Sequence, residues 1–320
     1  DAVKAANATA WHLKHNEKVD MVVALSHLGY NGKPEPKDVD IAANSEDIDI
    51  IIGGHSHSYL DPADSERTRV KNAIGKDVLV TQVGKSGMNL GQITIDLDSL
   101  TADYTTIPVN NRLDSRINQD FADVITPYRH GVDSLMAIKV GRSAAELDNQ
   151  QAALLNFVSD FALDFSKKIT DKPVDIALMN KGSLRRSLPK GDITMGMIMM
   201  MQPFNNHFEV IEISGKDLLE AFDVMAGRRG DGVSRGVDAT MKDRRCTSVT
   251  LNGKPIDKNK TYRVITIDYL ANGGDYMEPL TRGKVIARSK NVVYQDLLDY
   301  LATDMKNKPI DPPSKARMHE

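Results

Sequence analysis

The sequence predicts an α/β protein of two domains. Short apolar runs such as 19–25 and 48–52 are followed directly by glycine, serine and histidine. Short apolar runs bounded by turn residues are typical of strands buried on both faces of a sheet. Segments with helical periodicity alternate with these runs, as they do in α/β layers. The chain has 320 residues, of which 41% are hydrophobic and 27% charged. That length and composition suffice for two separate hydrophobic cores.

The first domain is predicted over residues 1–110. Its predicted elements are a helix over 1–17 and strands over 19–25, 48–52, 77–83 and 91–97. Ala2, Ala5, Ala6 and Leu13 form the loosely apolar face of the helix. Because helix and strand alternate, we expect a layered α/β arrangement.

The second domain is predicted over residues 138–320. It follows a polar, helix-compatible connection over 111–137 that we expect to be broken near Pro127. Asp192 or Thr194 is predicted to cap a methionine-rich helix. The stretch 227–245 and the tail after Lys306 are predicted to be flexible or loose. The other predicted elements are helices over 150–168, 216–226 and 291–306, strands over 174–179, 208–213 and 262–269, a turn at 181–183 and a hairpin around Asn252-Gly253.

Charge and hydropathy argue against two classes of partner. The net charge is −3 and the basic residues are scattered, so the sequence shows neither a basic stripe for nucleic-acid phosphates nor a polybasic membrane patch. No apolar run approaches the roughly 20 residues of a membrane span. Cys246 is the single cysteine, which excludes an intramolecular disulfide and a cysteine-based metal cluster.

Three histidines follow the two apolar runs. His55 and His57 come directly after Gly53-Gly54 at the end of one predicted strand, and His27 follows the other. In an extended segment, residues i and i+2 point the same way, so we expect both imidazoles of the His-X-His to face one locus. Open α/β sheets place their ligands beyond the carboxyl ends of strands. A lone histidine here is more often a hydrogen-bonded residue without a ligand, but the combination predicts a metal site.

Several longer segments carry a family resemblance. The segments VVALSHLG and GGHSH resemble the second half of the calcineurin-like metallophosphoesterase domain, and TQVGKSGMNLGQITIDLD resembles its continuation in 5'-nucleotidases. The segments IALMNKGSLRRSLPKGDIT, MQPFNNHFEVIEISGKDLLEAF and YRVITIDYLANGGDYM resemble the nucleotide-binding C-terminal domain of that family. The resemblance implies a partial metallophosphoesterase αββα sandwich, followed by an α/β 5'-nucleotidase C-terminal domain.

This resemblance implies roles for the histidines. His27 and His55 resemble ligands of one ion of a dinuclear pair, and His57 resembles a ligand of the other. Two divalent ions, Zn, Mn or similar, would hold a hydroxide that attacks phosphorus. The family's Asp-X-His, bridging aspartate and Asn-His-Glu motifs do not precede His27. We therefore expect the chain to need an N-terminal portion of the metallophosphoesterase domain, and we assign no catalytic residue within it.

The resemblance also implies a nucleoside site. Phe204 and Tyr269 are expected to stack on the base, and Asp275, after two glycines, to accept hydrogen bonds from a ribose diol. Polar contacts to the base and phosphate are implied for three further residues, Asn180, Asn206 and Arg185. The family has glycines where this chain has Lys181 and Ser183, and one expected arginine is missing between Ser143 and Leu184.

These motifs predict a metal-dependent phosphoester hydrolase that acts on nucleotides. The alternative is a non-catalytic nucleotide-binding relative, which the missing arginine and glycines favour and the three histidines disfavour. Periplasmic or extracellular location is implied by the resemblance. We expect no nucleic-acid partner and no membrane span.

Overall fold

The computed structural model describes residues 1–32 and 36–320. Two compact units are present, Asp1–Ala122 and Asp123–Glu320. The division falls inside a helix, Gln119–Met136, and within the segment 111–137 that was predicted as the connection. The domain limits at 110 and 138 stay predictions.

The first unit is built on a mostly parallel sheet. Its elements are α1 (Ala2–His15), β1 (Val23–Leu25), α2 (Asp38–Ala43), β2 (Ile50–Ile52), α3 (Ser65–Thr68), β3 (Arg69–Lys71), β4 (Asp77–Thr81), β5 (Asn89–Asp96) and β6 (Thr101–Pro108). The sheet has the order β1-β2-β4-β3, and β1, β2 and β4 run parallel, with Leu25, Ile52 and Thr81 in register. The carboxyl ends of these strands therefore lie at one edge, while β5 and β6 form a separate hairpin.

The core of this unit lies around the central strands. Ile51 and Val80 are fully buried, and α1 packs on the same cluster through Ala10. Asp1 caps α1, since its carboxylate accepts hydrogen bonds from the backbone N–H groups of residues 3 and 4. The prediction that both apolar runs are buried on both faces is wrong for β1. It is an edge strand, and Leu25 is 82% exposed.

The second unit contains the remaining elements. They are α4 (Gln119–Met136, which begins before the boundary), β7 (Lys139–Ser143), α5 (Ala152–Ile169), β8 (Ile176–Met179), β9 (Gly191–Thr194), α6 (Met195–Met201), β10 (His207–Ser214), α7 (Gly215–Gly227), β11 (Gly232–Val233), β12 (Val237–Lys242), β13 (Arg245–Leu251), β14 (Lys254–Pro255), β15 (Thr261–Ile267), α8 (Asp268–Ala271), α9 (Glu278–Thr281), β16 (Lys284–Val292), α10 (Val293–Thr303) and β17 (Met318–His319).

The main sheet of the second unit brings three loop positions to one edge. Its order is β11-β8-β15-β10-β16, with β8 parallel to β15 and β10 antiparallel to it. Asn180 follows β8, Asp268 follows β15, and Asn206 precedes β10. Because β10 runs antiparallel to β15 and starts where β15 and its parallel partner β8 end, these three residues lie at the same edge. The sheet packs on α5 through a fully buried aromatic group that includes Phe161 and Phe208.

Two predictions about irregular segments are wrong. The stretch 227–245 is ordered, since β12 pairs with β13 and buries Val237, Ala239 and Met241 on one face. That alternation is a strand signal that the surrounding arginines obscured. The tail is fixed as well, because β17 pairs with β12 and joins Met318 to the core.

Two further predictions concern the residue that caps α6 and a break in the segment of α4. Thr194, not Asp192, caps α6, since its hydroxyl accepts a hydrogen bond from the N–H of Met197 at 3.4 Å. The predicted break near Pro127 is wrong, because α4 continues through it. A proline removes one backbone hydrogen bond of a helix. The neighbouring turns keep their hydrogen bonds, so the segment stays helical.

Candidate functional site

Two of the predicted metal ligands lie together at the edge of the first sheet. His27 follows β1 and His55 follows β2, and their ring centroids are 5.2 Å apart with the planes at 69°. Gly54 makes this approach possible, since a Cβ there would lie 2.9 Å from Nδ1 of His27. Both imidazoles are exposed to solvent. The expectation that two neighbouring strand ends bring His27 and His55 into proximity is therefore correct.

The local conformation of the His-X-His differs from the prediction. His55 has φ +69° and His57 has φ +56°, so the segment is not extended. The N–H of Ser56 donates to the carbonyl of Gly54 at 2.9 Å and closes a tight turn around His55. The i, i+2 argument for placing His55 and His57 on one side therefore fails, because it holds only for extended backbone. Left-handed backbone at residues other than glycine is costly and concentrates at functional sites.

A buried carboxylate and an amide support this loop. The hydroxyl of Ser26 donates to Oδ1 of Asp38, and Asp38 is 1% exposed. Burial raises the pKa of Asp38, and its Oδ2 has no hydrogen-bond partner within the described residues. The Gln82 amide donates to Gly54 O at 2.7 Å and accepts from the hydroxyl of Ser56 at 2.9 Å. The Gln82 contacts fix the backbone that presents His55, and the Ser26–Asp38 contact lies directly before His27.

The histidines fall short of a complete metal centre. Across residues 1–32 and 36–320, no group of three or more His, Cys, Asp or Glu side chains is placed so that it could hold a metal ion. His27 and His55 are a pair of borderline ligands, whereas a structural or catalytic zinc site takes at least three protein ligands. The described residues therefore do not by themselves fit a dinuclear centre.

The predicted nucleoside-site residues form a connected cluster in the second unit. The Asn180 amide donates to Oδ2 of Asp275 at 2.7 Å, and the hydroxyl of Tyr269 donates to Oδ1 of Asp275 at 2.9 Å. Burial and the Asp275 carboxylate raise the pKa of Tyr269. The ring of Tyr269 is 45% exposed and can take up a flat ligand. Asn180, by contrast, is buried, and its Oδ1 has no protein partner within the described residues.

Glycine 274 sets the geometry of this cluster. A Cβ at Gly274 would lie 2.5 to 2.6 Å from ring atoms of Tyr269, so only glycine leaves room for the ring. Asp275 has φ +53°, which turns its carboxylate back toward Tyr269 and Asn180. The backbone of Asp275 is held in turn by Arg228, which donates to its carbonyl oxygen.

Arg228 belongs to an ion pair behind the cluster. Its guanidinium contacts Oδ2 of Asp231, and Oδ1 of Asp231 accepts a hydrogen bond from the N–H of Lys181 at 2.9 Å. Asp231 is 8% exposed. The pair thus ties the turn after β8 to the turn that carries Asp275.

The other predicted residues make two further contacts at the same edge. The guanidinium carbon of Arg185 lies 5.1 Å from the ring centroid of Phe204, in a cation–π arrangement that covers one face of the ring. The Asn206 amide donates to Oδ1 of Asp268 at 2.8 Å, and Arg288 binds the other oxygen of Asp268 at 2.9 Å. Since Asp268 precedes Tyr269, the Asn206 contact links the segment of Phe204 to that of Tyr269.

Comparison with known proteins bears directly on this unit. Residues 133–282 match the model of the family described as 5'-nucleotidase, C-terminal domain. The matched residues lie within the second unit. The predicted resemblance is confirmed, and the 5'-nucleotidase C-terminal domain contains the whole cluster of Asn180, Tyr269 and Asp275.

The sequence similarity to known proteins extends beyond residues 133–282 to most of the chain. The chain is 28% identical to an apyrase of Tabanus yao, in a match that covers 94% of this chain and 61% of the apyrase. It is 25% identical to a 5'-nucleotidase of Vibrio vulnificus, in a match that covers 97% of this chain and 63% of that protein. It is also similar to the crystal structure of a 5'-nucleotidase precursor from Thermus thermophilus, with a TM-score of 0.74 and 27% identity over 100% of this chain and 67% of that one. The predicted α/β fold class, a partial metallophosphoesterase domain followed by a 5'-nucleotidase C-terminal domain, is confirmed.

Several residues of the two candidate sites were not singled out from the sequence. In the 5'-nucleotidase C-terminal domain they are Arg228, Asp231 and Asp268, and in the first unit Ser26, Asp38 and Gln82. The i, i+3 spacing of Arg228 and Asp231 is a usable signal for the ion pair. Asp268 could have been found from its place directly after a buried strand. Asp38 and Gln82 carry no such signal, because only the fold brings them behind the His55 loop.

No helix in the described parts of the chain has the length and apolar character needed to cross a bilayer.

Proposed function

We propose that this protein is a nucleotide phosphoester hydrolase of the 5'-nucleotidase type, with the nucleoside bound by the C-terminal domain. The observation that carries the proposal is the cluster in which Asn180 and Tyr269 both donate to Asp275. It lies at the edge of the sheet where β8 and β15 end, which is where α/β sheets bind ligands. The family match of residues 133–282 supports the same assignment.

The cluster suits a nucleoside in both its apolar and its polar parts. The exposed ring of Tyr269 offers a stacking surface for a base, and so does the face of Phe204 that Arg185 leaves open. Asp275 has two carboxylate oxygens, each with capacity for a further hydrogen bond beyond the one it accepts, and a ribose diol supplies two donors. Arg185 is exposed and suited to phosphate oxygens.

We further propose that hydrolysis depends on divalent metal ions, two in the complete enzyme and Zn, Mn or similar in kind. His27 and His55 would be two of the ligands, with His57 as a third candidate from the same loop. The remaining ligands would come from an N-terminal portion of the metallophosphoesterase domain. The support is that this chain spans 61% of the Tabanus relative and 63% of the Vibrio one. A periplasmic or extracellular location is part of the proposal, and cell fractionation tests it.

Nucleoside binding is tested by removing the stacking ring. Tyr269→Ala is expected to weaken adenosine binding by about 1–3 kcal/mol, measured by isothermal titration calorimetry. Tyr128→Ala is the matched control, because Tyr128 is 75% exposed on α4 and lies outside the cluster. Equal affinities of the Tyr269→Ala variant and the unmodified chain would remove Tyr269 from the site.

Hydrolysis is tested by phosphate release from AMP in the presence of Zn²⁺ or Mn²⁺. The chain reconstituted with an N-terminal metallophosphoesterase portion is expected to release phosphate, and His55→Ala is expected to abolish release while adenosine binding is retained. Tight adenosine binding without turnover in the reconstituted protein would instead support the alternative, a non-catalytic nucleotide-binding relative. Loss of both properties in His55→Ala would contradict separate metal and base sites.

A further inference from the structure

A second concave surface of the 5'-nucleotidase C-terminal domain is lined by positive charge. It is a cleft with a volume of about 690 Å³, between β7 and the segment that follows α10. We call it the cationic cleft and define it by its basic lining residues, which are Lys139, Arg142, Lys190, Lys306 and Lys308. It shares no lining residue with the cluster of Asn180, Tyr269 and Asp275.

The charge of the cationic cleft is largely uncompensated. Among the described residues, no aspartate or glutamate lines it. Lys139 is paired with Asp192 at 2.8 Å, but the part of the chain that the structure describes offers no ion pair to Arg142, Lys190, Lys306 or Lys308. The chain as a whole carries a net charge of −3. A local excess of cations in an acidic protein raises the local concentration of anions.

The backbone around the cleft is fixed by pairing. The N–H of Ile310 donates to the carbonyl of Arg142 at 2.8 Å, and the N–H of Ala144 donates to the carbonyl of Ile310 at 2.9 Å. Ile310 and Leu301 anchor the tail and α10 in the core, with 0% and 3% exposure. The basic side chains therefore project from a packed framework, which lowers the entropy lost when they bind one ligand.

We propose that the cationic cleft binds a small, multiply phosphorylated molecule. Four unpaired cations around one concavity match an anion with several charges, and the volume lies within the range of small-molecule sites. A polymeric nucleic acid would instead be expected to contact a basic stripe that continues along the surface. Arg142 supplies a planar guanidinium for two phosphate oxygens, and the lysines supply mobile point charges.

The experiment uses the full chain and inorganic tripolyphosphate as the probe. Binding is measured by isothermal titration calorimetry at about 150 mM salt, where weak surface attraction is screened. One saturable site is expected. Arg142→Gln combined with Lys190→Gln should weaken binding by about tenfold or more, because each charged contact is worth more than a neutral one. Lys306→Gln with Lys308→Gln is the second variant, used if the first does not fold.

Two controls separate binding in the cationic cleft from non-specific charge attraction and from binding at the nucleoside site. Lys254→Gln with Lys258→Gln removes the same charge from exposed positions outside the cleft, and its affinity for tripolyphosphate should be unchanged. The Tyr269→Ala variant should bind tripolyphosphate with unchanged affinity. Loss of adenosine binding at the nucleoside site can then be distinguished from loss of tripolyphosphate binding in the cationic cleft. Absence of binding, or equal weakening in the Lys254/Lys258 control, would overturn the proposal. So would binding of a single-stranded oligonucleotide that tripolyphosphate does not displace.

Discussion

At the scale of single residues, Asp275 connects the ends of two parallel strands. Its two carboxylate oxygens accept hydrogen bonds from Asn180, after β8, and from Tyr269, after β15. Arg228 holds its carbonyl oxygen from a third segment. The position of this carboxylate is therefore over-determined, which is what permits its left-handed backbone.

Gly274→Ala tests how far the site depends on that geometry. The added methyl group would lie 2.5 to 2.6 Å from the ring of Tyr269, so the ring must move. We expect adenosine affinity to fall by about tenfold or more, since displacement of the ring removes its stacking contribution. The comparison is Gly227→Ala, where a Cβ meets nothing within 4 Å and adenosine affinity should not change. Unchanged affinity in Gly274→Ala would show that Tyr269 does not contact the base.

At the scale of elements, α10 carries a buried carboxyl in its first turns. Asp296 is 2% exposed, and its Oδ2 has no hydrogen-bond partner among the described residues. Burial raises the pKa of Asp296 to about 6, with a smaller contribution from Asp299, while contacts with Ser289 and Asn291 and the nearby His207 oppose the rise. Because the folded carboxyl keeps its proton to higher pH than the unfolded one, its stabilising contribution is present below about pH 4 and lost as pH rises through about 6.

Asp296→Asn should remove that pH dependence. At pH 8 the variant is expected to have a free energy of unfolding higher than the unmodified chain by about 1–3 kcal/mol, and at pH 4 the two should differ little. Urea denaturation at a series of pH values measures this. Asp311→Asn, at an exposed position, should show no such difference. A constant gap between Asp296→Asn and the unmodified chain from pH 4 to pH 8 would contradict the assignment.

The last strand, β17, is held by an arginine next to it. The guanidinium of Arg317 donates to both carboxylate oxygens of Asp160 at 2.7 Å and to the carbonyl of Val233 at 2.9 Å. Arg317 is 13% exposed, so solvent screens these contacts only partly. They tie β17 to α5 and β11.

Arg317→Lys should loosen this strand, because lysine keeps the charge and loses the two-pronged contact. We expect the free energy of unfolding to fall by about 1–3 kcal/mol in urea denaturation. Arg186→Lys, at an exposed position, should change it little. Equal stability of the two variants would show that the two-pronged contact of Arg317 does not contribute to the free energy of unfolding.

At the scale of the whole molecule, each compact unit carries its own candidate site. The His27–His55 pair belongs to the first unit, and the cluster around Asp275 belongs to the second. A ligand that binds one native unit stabilises that unit by a free energy that rises with the logarithm of its concentration relative to its Kd.

Hydrogen exchange followed by mass spectrometry should separate the two sites. Adenosine is expected to slow exchange in 180–185 and 268–276, because its contacts suppress local opening of those segments. In the protein reconstituted with the N-terminal metallophosphoesterase portion, Zn²⁺ or Mn²⁺ is expected to slow exchange in 26–28 and 53–57 instead. Protection by adenosine confined to the first unit would contradict the proposed division of roles.

The sequence by itself determined the fold class, most strands and the two sets of candidate residues. A run such as 48–52 is recognisable because a strand buried on both faces carries nearly continuous apolar side chains. His55 follows such a run and could be found because strand ends are where loops present ligands. Tyr269 was found through the family resemblance of the segment YRVITIDYLANGGDYM.

The tertiary structure alone decided how those residues meet. It showed that His55 and His57 lie in left-handed backbone, that Gln82 supports their loop while Asp38 binds Ser26 beside His27, and that β12 and β17 order segments predicted as loose. Local sequence could not reveal the contacts of Asp38 and Gln82 or the pairing of β17, because these depend on groups distant along the chain. The alternation of apolar side chains in β12, by contrast, is a local signal. Backbone strain and buried polar contacts are stabilised by the surrounding packing, and a sequence pattern records only the preferences of neighbouring residues.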